Sequence, residues 1–171
     1  MTVYILMGVS GCGKSTVGRQ TAERLKILFL EGDDFHPDTN IAKMSNGIAL
    51  SDRDRGPWVD AMIKACNIAG PQSQHPQSSI ILACSALSET VRERLRKGLA
   101  HKCHFIHLQG DHAVLEKRLL DRKGHFFKPE LLSSQFAALD IPRSAATLDI
   151  SQPIDALVSQ LIEIIHLEDE A

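Results

Sequence analysis

Residues 3–7, Val-Tyr-Ile-Leu-Met, run straight into Gly8-Val-Ser-Gly-Cys-Gly-Lys14-Ser15-Thr16, and no other stretch constrains the fold so tightly. An apolar run of strand length followed by G-x-x-x-x-G-K-S is the strand–loop–helix setting of a phosphate-binding loop. Phosphate oxygens need many converging N–H donors, and glycines at 8, 11 and 13 let the backbone approach without Cβ atoms in the way. The start of the following helix adds positive dipole. Lys14 is expected to reach the β- and γ-phosphates and the Ser15 hydroxyl to ligate Mg²⁺. The candidate nucleotide-binding set is therefore Gly8, Ser10, Gly11, Cys12, Gly13, Lys14, Ser15 and Thr16.

A chain of 171 residues suits one α/β domain spanning 1–171. Its net charge of −2 gives no general attraction to nucleic acid or anionic membranes, so neither partner is expected. The apolar runs are strand-sized, and Met1-Thr-Val lacks a basic leader; neither a membrane span nor a signal peptide is expected, which makes the cytoplasm the default location. Cys12, Cys66, Cys84 and Cys103 never form C-x-x-C, so reduced thiols are expected. His101, His104 and His107 resemble metal spacing, but in a strand an offset of three puts His104 and His107 on opposite faces.

Further along, a helix is expected over 15–26 and a strand over 27–30. That strand leads into Glu31-Gly-Asp33-Asp34-Phe-His36-Pro37, carboxylates at the strand edge where open α/β sheets bind ligands. Helices over 38–44 and 53–69 carry Lys43 and Arg55; residues 70–78 read as loop. A strand over 79–84 precedes a basic helix with Arg92, and another strand covers 103–108. The helix over 113–122 puts Arg118 and Arg122 on one face, just before a glycine-hinged stretch and a helix over 130–139. A strand over 147–150 and a helix over 154–165 complete an α/β fold with about five parallel strands and helices on both sides. Residues 123–142 read as a lid, with Arg118 and Arg122 just before it as the arginines that close with it over phosphates.

Phosphoryl transfer needs in-line positioning, Mg²⁺, cations around the moving charge and a group to take the acceptor's proton. Lys14, Arg118 and Arg122 supply cations, and Asp33 can orient or deprotonate a hydroxyl; these four are the catalytic candidates. Asp33 is preferred to Asp34 as the first carboxylate after the strand, since consecutive extended residues point opposite ways. Lys43, Arg55 and Arg92 flank the expected pocket, which suits an acceptor carrying its own negative group.

The block Asp33-Asp-x-His36-Pro37-x-x-Asn40-x-x-Lys43-Met44-x-x-Gly47 and the block Leu50-x-Asp52-x-Asp54-Arg55-x-Pro57-Trp58 resemble the gluconokinase family. Cys84-Ser-Ala-Leu87, Gly124-His-Phe-Phe-Lys128 and Ser134-Gln135-Phe136 are similar to it as well. The resemblance spans residues 3 to about 155. It implies a nucleoside-monophosphate-kinase-like fold, ATP and Mg²⁺, transfer to the 6-hydroxyl of D-gluconate, a cytosolic location and often a homodimer. With it, the candidate acceptor-binding residues are Asp33, His36, Lys43, Arg55, Arg92 and His125. The chain departs from the family pattern at Cys12, Ala49, Asp140 and Ile141, and has Ser88-Glu-Thr-Val91 where relatives usually carry basic residues. Without the resemblance, a shikimate-kinase-like enzyme or another small-acid kinase stays open, since it would use the same loop and an acidic turn after the strand. A nucleotide-dependent switch shares the loop, but a GTPase would normally carry N-K-x-D, which is absent.

Overall fold

The computed structural model describes residues 1–72, 79–121, 131–142 and 145–170 and places β1 (Thr2–Met7) at the centre of five parallel strands. The order is β2 (Leu28–Glu31), β3 (Ile80–Ala83), β1, β4 (Lys102–Gln109), β5 (Ala146–Asp149). In register, Ile5 lies between Leu82 and Phe105, and Leu108 lies beside Leu148. An all-parallel sheet is covered on both faces, so β1 reads as an unbroken apolar run rather than an alternating one.

Alternation still decides which core each residue enters. Tyr4 and Leu6 pack with Val17 and Ala22 of α1 (Lys14–Leu25) and with Leu157, Val158, Leu161 and Ile165 of α7 (Ile154–Asp169). Val3, Ile5 and Met7 pack with Trp58, Val59, Met62 and Cys66 of α3 (Asp52–Gln72) and with Val91 and Leu95 of α4 (Glu89–Gly98). The histidines of β4 follow the same rule. His104 lies beside Tyr4 and stacks on its ring at 5.7 Å, while His107 lies beside Met7 on the other face. Three shorter helices complete the described chain: α2 (Asp38–Ser45), α5 (His112–Asp121) and α6 (Leu132–Ala137).

Most boundaries fall within a few residues of those read from sequence, with two larger differences. Helix α3 continues to Gln72, through Gly70 and Pro71, past the stop signal read at Gly70. Helix α6 occupies only part of 130–139. Residues 73–78 of the expected loop, Arg122 at the end of the expected helix over 113–122, and 123–130 of the expected lid lie outside the described residues.

Away from the glycine-rich loop, the C-terminal end of α7 is tied to the sheet by polar contacts. The Tyr4 hydroxyl donates to Asp169 Oδ1 at 2.7 Å and to the Ile165 carbonyl at 3.2 Å, and the Ser79 hydroxyl donates to the Asp169 carboxylate at 3.2 Å. Burial, with the neighbouring carboxylate, holds the Tyr4 phenol well above its ordinary pKa. His104 Nδ1 lies 3.2 Å from Glu168.

At the opposite edge, β2 enters a 3₁₀ turn, Gly32–Phe35, that must pass close to β3. A Cβ on Gly32 would stand 2.4 Å from the Ala83 carbonyl oxygen and 2.8 Å from Cys84 Cβ, so a glycine is needed for close approach. Gly32→Ala is therefore expected to destabilise the fold by about 1–3 kcal/mol. Urea unfolding followed by fluorescence of Trp58, which bonds to the Gly32 carbonyl, checks this.

Candidate active site

The loop between β1 and α1 folds as its glycines require. Gly8 has φ 139 and Gly13 φ 100, and a Cβ at residue 8 would meet the Leu108 carbonyl oxygen at 2.8 Å. Gly13 is also the N-cap of α1 and makes no side-chain cap bond. Lys14 folds back, its ammonium donating to the carbonyls of Gly8 at 2.9 Å and Val9 at 3.0 Å. A cleft of about 240 Å³ opens above this turn, lined by Ser10, Gly11, Gly13, Lys14, Ser15, Thr16, Glu31, Asp33 and Arg118. Gly8 and Cys12 do not line it; Cys12 is buried beneath the turn.

A second cavity, of about 310 Å³, lies beside the first. Its walls include Ser10, Lys14 and Asp33, then His36, Leu50, Arg55 and Trp58, with Ser85 to Ser88 and Gln135 across from them. Ser10, Lys14 and Asp33 belong to both linings, so the two spaces meet at one cation and one carboxylate. Asp34 is exposed and lines neither. The two carboxylates part company in a 3₁₀ turn rather than in the extended chain expected from sequence, and the roughly 120° step per residue of that turn separates their directions.

The wall on the Asp33 side is held from behind. Trp58, 2 % exposed, donates from Nε1 to the Gly32 carbonyl at 2.7 Å and stacks on the His36 ring at 4.5 Å and 10°. Asn40 lies 3.4 Å from His36 Nδ1 and donates to the Asp54 carbonyl at 2.9 Å. Burial pushes the His36 imidazole down to about 4, so at neutral pH it is an uncharged hydrogen-bonding group. Nearby Cys84 is pushed up by burial to about 12, which removes it as a nucleophile.

The candidate cations are distributed unevenly. Arg55 lines the acceptor-side cavity and pairs with the exposed Asp52 at 3.0 Å. Lys43 does not line it: its ammonium bonds to Asp54 at 2.6 Å and holds that carboxyl well below the usual carboxylate range. Arg92, only 1 % exposed, is also outside the lining. It donates to the carbonyls of Ala86 at 2.9 Å and Leu87 at 2.8 Å and pairs with Glu89 at 2.7 Å. It thus braces the turn in which Ala86 adopts φ 42, an uncommon backbone for a residue with a side chain. Glu89, one of the departures noted from sequence, supplies that carboxylate, and its amide donates to Asp140 Oδ2 at 3.0 Å. Arg118 reaches the phosphate cleft and donates to the Ile150 carbonyl at 3.2 Å. Arg122 and His125 lie outside the described residues.

Sequence reasoning did not single out Trp58, Gln135 or the backbone of 85–88 as site residues, and it named Glu31 only within the acidic run after the expected strand over 27–30. Only the blocks carrying Trp58 and Gln135 hinted at them, since a buried indole 22 residues from the ring it supports leaves no local signal.

A phosphate-binding loop whose cleft opens into a separate cavity, with a lysine and a carboxylate at the junction, defines a P-loop kinase acting on a small molecule. A family model described as an AAA domain matches residues 3–148. The thermoresistant gluconokinase of Escherichia coli K12 is 43% identical over 95% of this chain and 93% of its own. Among solved structures, an unliganded sugar kinase from Janibacter sp. HTCC2649 superposes with a TM-score of 0.85 at 35% identity, covering 95% of this chain and 93% of that one. A gluconokinase from Sinorhizobium meliloti 1021 gives 0.79 at 35%, covering 98% and 97%. The chain belongs to the gluconokinase family.

Because folded His36 resists protonation until about pH 4 while an unfolded histidine accepts a proton near 6.5, lowering the pH through that window favours the unfolded chain. Stability is expected to fall between pH 6.5 and 4, less steeply in His36→Phe than in the wild type. Urea midpoints at pH 7 and pH 5 for both proteins give the comparison.

Proposed function

We propose that this enzyme transfers the terminal phosphoryl group of ATP to the 6-hydroxyl of D-gluconate, giving 6-phospho-D-gluconate and ADP. The observation that carries this reading is the meeting of a phosphate cleft and a second cavity at Ser10, Lys14 and Asp33, in a chain of the gluconokinase family.

Amides at the start of α1 bind phosphate oxygens with the helix dipole behind them. Lys14 leaves the loop carbonyls to follow the transferring phosphoryl, and Arg118 lies on the same cleft to offset its charge. Arg122 and the rest of a closing lid belong to the same reading on sequence grounds. Ser15, Thr16, Glu31 and Asp33 are hard oxygen donors around the cleft, a set that fits Mg²⁺, with Ser15 as its direct ligand. When bound, the ion would neutralise charge on the β- and γ-phosphate oxygens.

On the acceptor side, Asp33 orients the 6-hydroxyl and takes its proton, neutral His36 bonds to a sugar hydroxyl, and Arg55 receives the carboxylate by giving up exposed Asp52. Lys43 and Arg92 act from behind the wall, through Asp54 and through the 86–87 carbonyls, as positioning residues. His125 remains an acceptor-binding candidate on sequence grounds alone. A cytoplasmic location and a homodimer complete the reading, both carried over from the family resemblance in the sequence.

ATP consumption measured across a panel of sugar acids tests the assignment: ADP should appear in proportion to gluconate added, and ATP hydrolysis that ignores gluconate would refute it. Lys14→Ala is expected to lower kcat by roughly two or more orders of magnitude in a folded protein, since the lost charge acts most strongly on the transition state. Asp33→Asn should cut kcat far more than it raises the ATP KM, with a milder effect for Asp34→Asn. Equal losses for the two at saturating ATP would remove Asp33 from its role.

A further inference from the structure

The Ser10 amide of the P-loop is not open to the cleft. Ser10 N–H donates to the side-chain carbonyl of Gln135, on α6, at 2.6 Å. The two residues are 125 apart in sequence, and both line the acceptor-side cavity. Ser10 also lines the phosphate cleft. Its amide therefore belongs to a residue shared by the cleft and the cavity, where, on the donor and acceptor assignment above, the terminal phosphoryl of a triphosphate would reach and a diphosphate would not.

We propose that Gln135 is a positioning residue that reports the terminal phosphoryl to the acceptor cavity: it holds the Ser10 amide while the cleft is empty and yields it when the γ-phosphoryl arrives. The exchange is favourable because an anionic phosphoryl oxygen accepts a stronger, charge-assisted bond than a neutral amide carbonyl does. Once released, the Gln135 amide carries both a donor and an acceptor and remains in the wall of the acceptor cavity, where a polyhydroxylated acceptor can use both. Acceptor affinity then rises with a triphosphate and not with ADP. The proposal rests on the donor and acceptor assignment above. It adds a residue and a coupling to that assignment.

Two substitutions push the exchange in opposite directions, which a merely structural side chain would not do. Gln135→Leu removes the competitor for Ser10 N–H; a non-hydrolysable ATP analogue should bind about threefold more tightly, with ADP unchanged. Gln135→Glu places a carboxylate on the same amide and against the incoming phosphoryl. The analogue should then bind about tenfold more weakly, again with ADP little changed. Calorimetric titration of each nucleotide measures both. Gluconate affinity, read from the fluorescence of Trp58, the single tryptophan of the chain and part of the cavity wall, should rise at least about fivefold in the wild type when the analogue replaces ADP. In Gln135→Leu that ratio should fall to about one. Gln135 is partly exposed on a short helix, and thermal unfolding of both variants confirms that they fold. Analogue and ADP affinities that shift together, or a Gln135→Leu protein that keeps the wild-type ratio, would overturn the proposal. The nucleotide titrations do not depend on the acceptor. Failure to turn over gluconate with an intact analogue-to-ADP difference would sink the assignment of the acceptor and leave the role of Gln135 standing.

Discussion

The complete burial of β1 is the constraint from which the site follows. Val3 to Met7 have no solvent access, and helices cover the sheet on both faces. Such a strand cannot slip by one residue without exchanging the sets that face α1 and α7 for those that face α3 and α4. Its C-terminal end is therefore fixed, and so is the glycine-rich turn that leaves it. The Gly8 amide donates to the Ser85 carbonyl at 3.2 Å, and Cys84 N–H donates to the Leu6 carbonyl at 3.1 Å. The floor beneath the nucleotide cleft and one wall of the acceptor cavity are thus parts of one hydrogen-bonded unit.

Charge in the site is held internally rather than left waiting. Lys14 rests on loop carbonyls, Arg118 on the Ile150 carbonyl, Arg55 on Asp52, Lys43 on Asp54 and Arg92 on Ala86, Leu87 and Glu89. Ligand capture is an exchange of partners, so the net gain is smaller than a count of new bonds would suggest. The ease of exchange differs among them. Asp52 has a solvated side chain, 71% exposed, and an ion pair of that kind contributes little to stability, so Arg55 gives it up readily. Arg92 donates inside the protein to the carbonyls of Ala86 and Leu87, the second of which also accepts from Asp140 N–H, and breaking those bonds would leave the buried guanidinium and the Ala86 carbonyl unsatisfied.

The strand–loop–helix signal and the order of elements were legible because they depend on local spacing: glycines in a turn, apolar runs of strand length, acidic residues after a strand. The five-stranded parallel sheet expected from alternating elements is the one observed. Other features depended on contacts that no local pattern encodes. The sequence places Arg92 near the pocket, yet it turns inward because Ser88 caps α4, accepting from Val91 N–H, and Ala86 bends the preceding chain toward its guanidinium. Support of His36 by Trp58 links different elements, and so does the Gln135 contact; each was visible beforehand only as one letter within a longer block.

The polar fastening of α7, where Tyr4 and Ser79 donate to Asp169 and His104 meets Glu168, involves none of the residues that line the two site cavities. The same central strand thus carries a fastening on one of its faces and the reactive loop at its end, with the rigid sheet between them. Substitutions around Tyr4, Ser79 and Asp169 can raise or lower heat tolerance without passing through the groups that move phosphate. Lineages living at different temperatures could therefore retune the durability of such a protein there while the chemistry at the other end stays under separate selection.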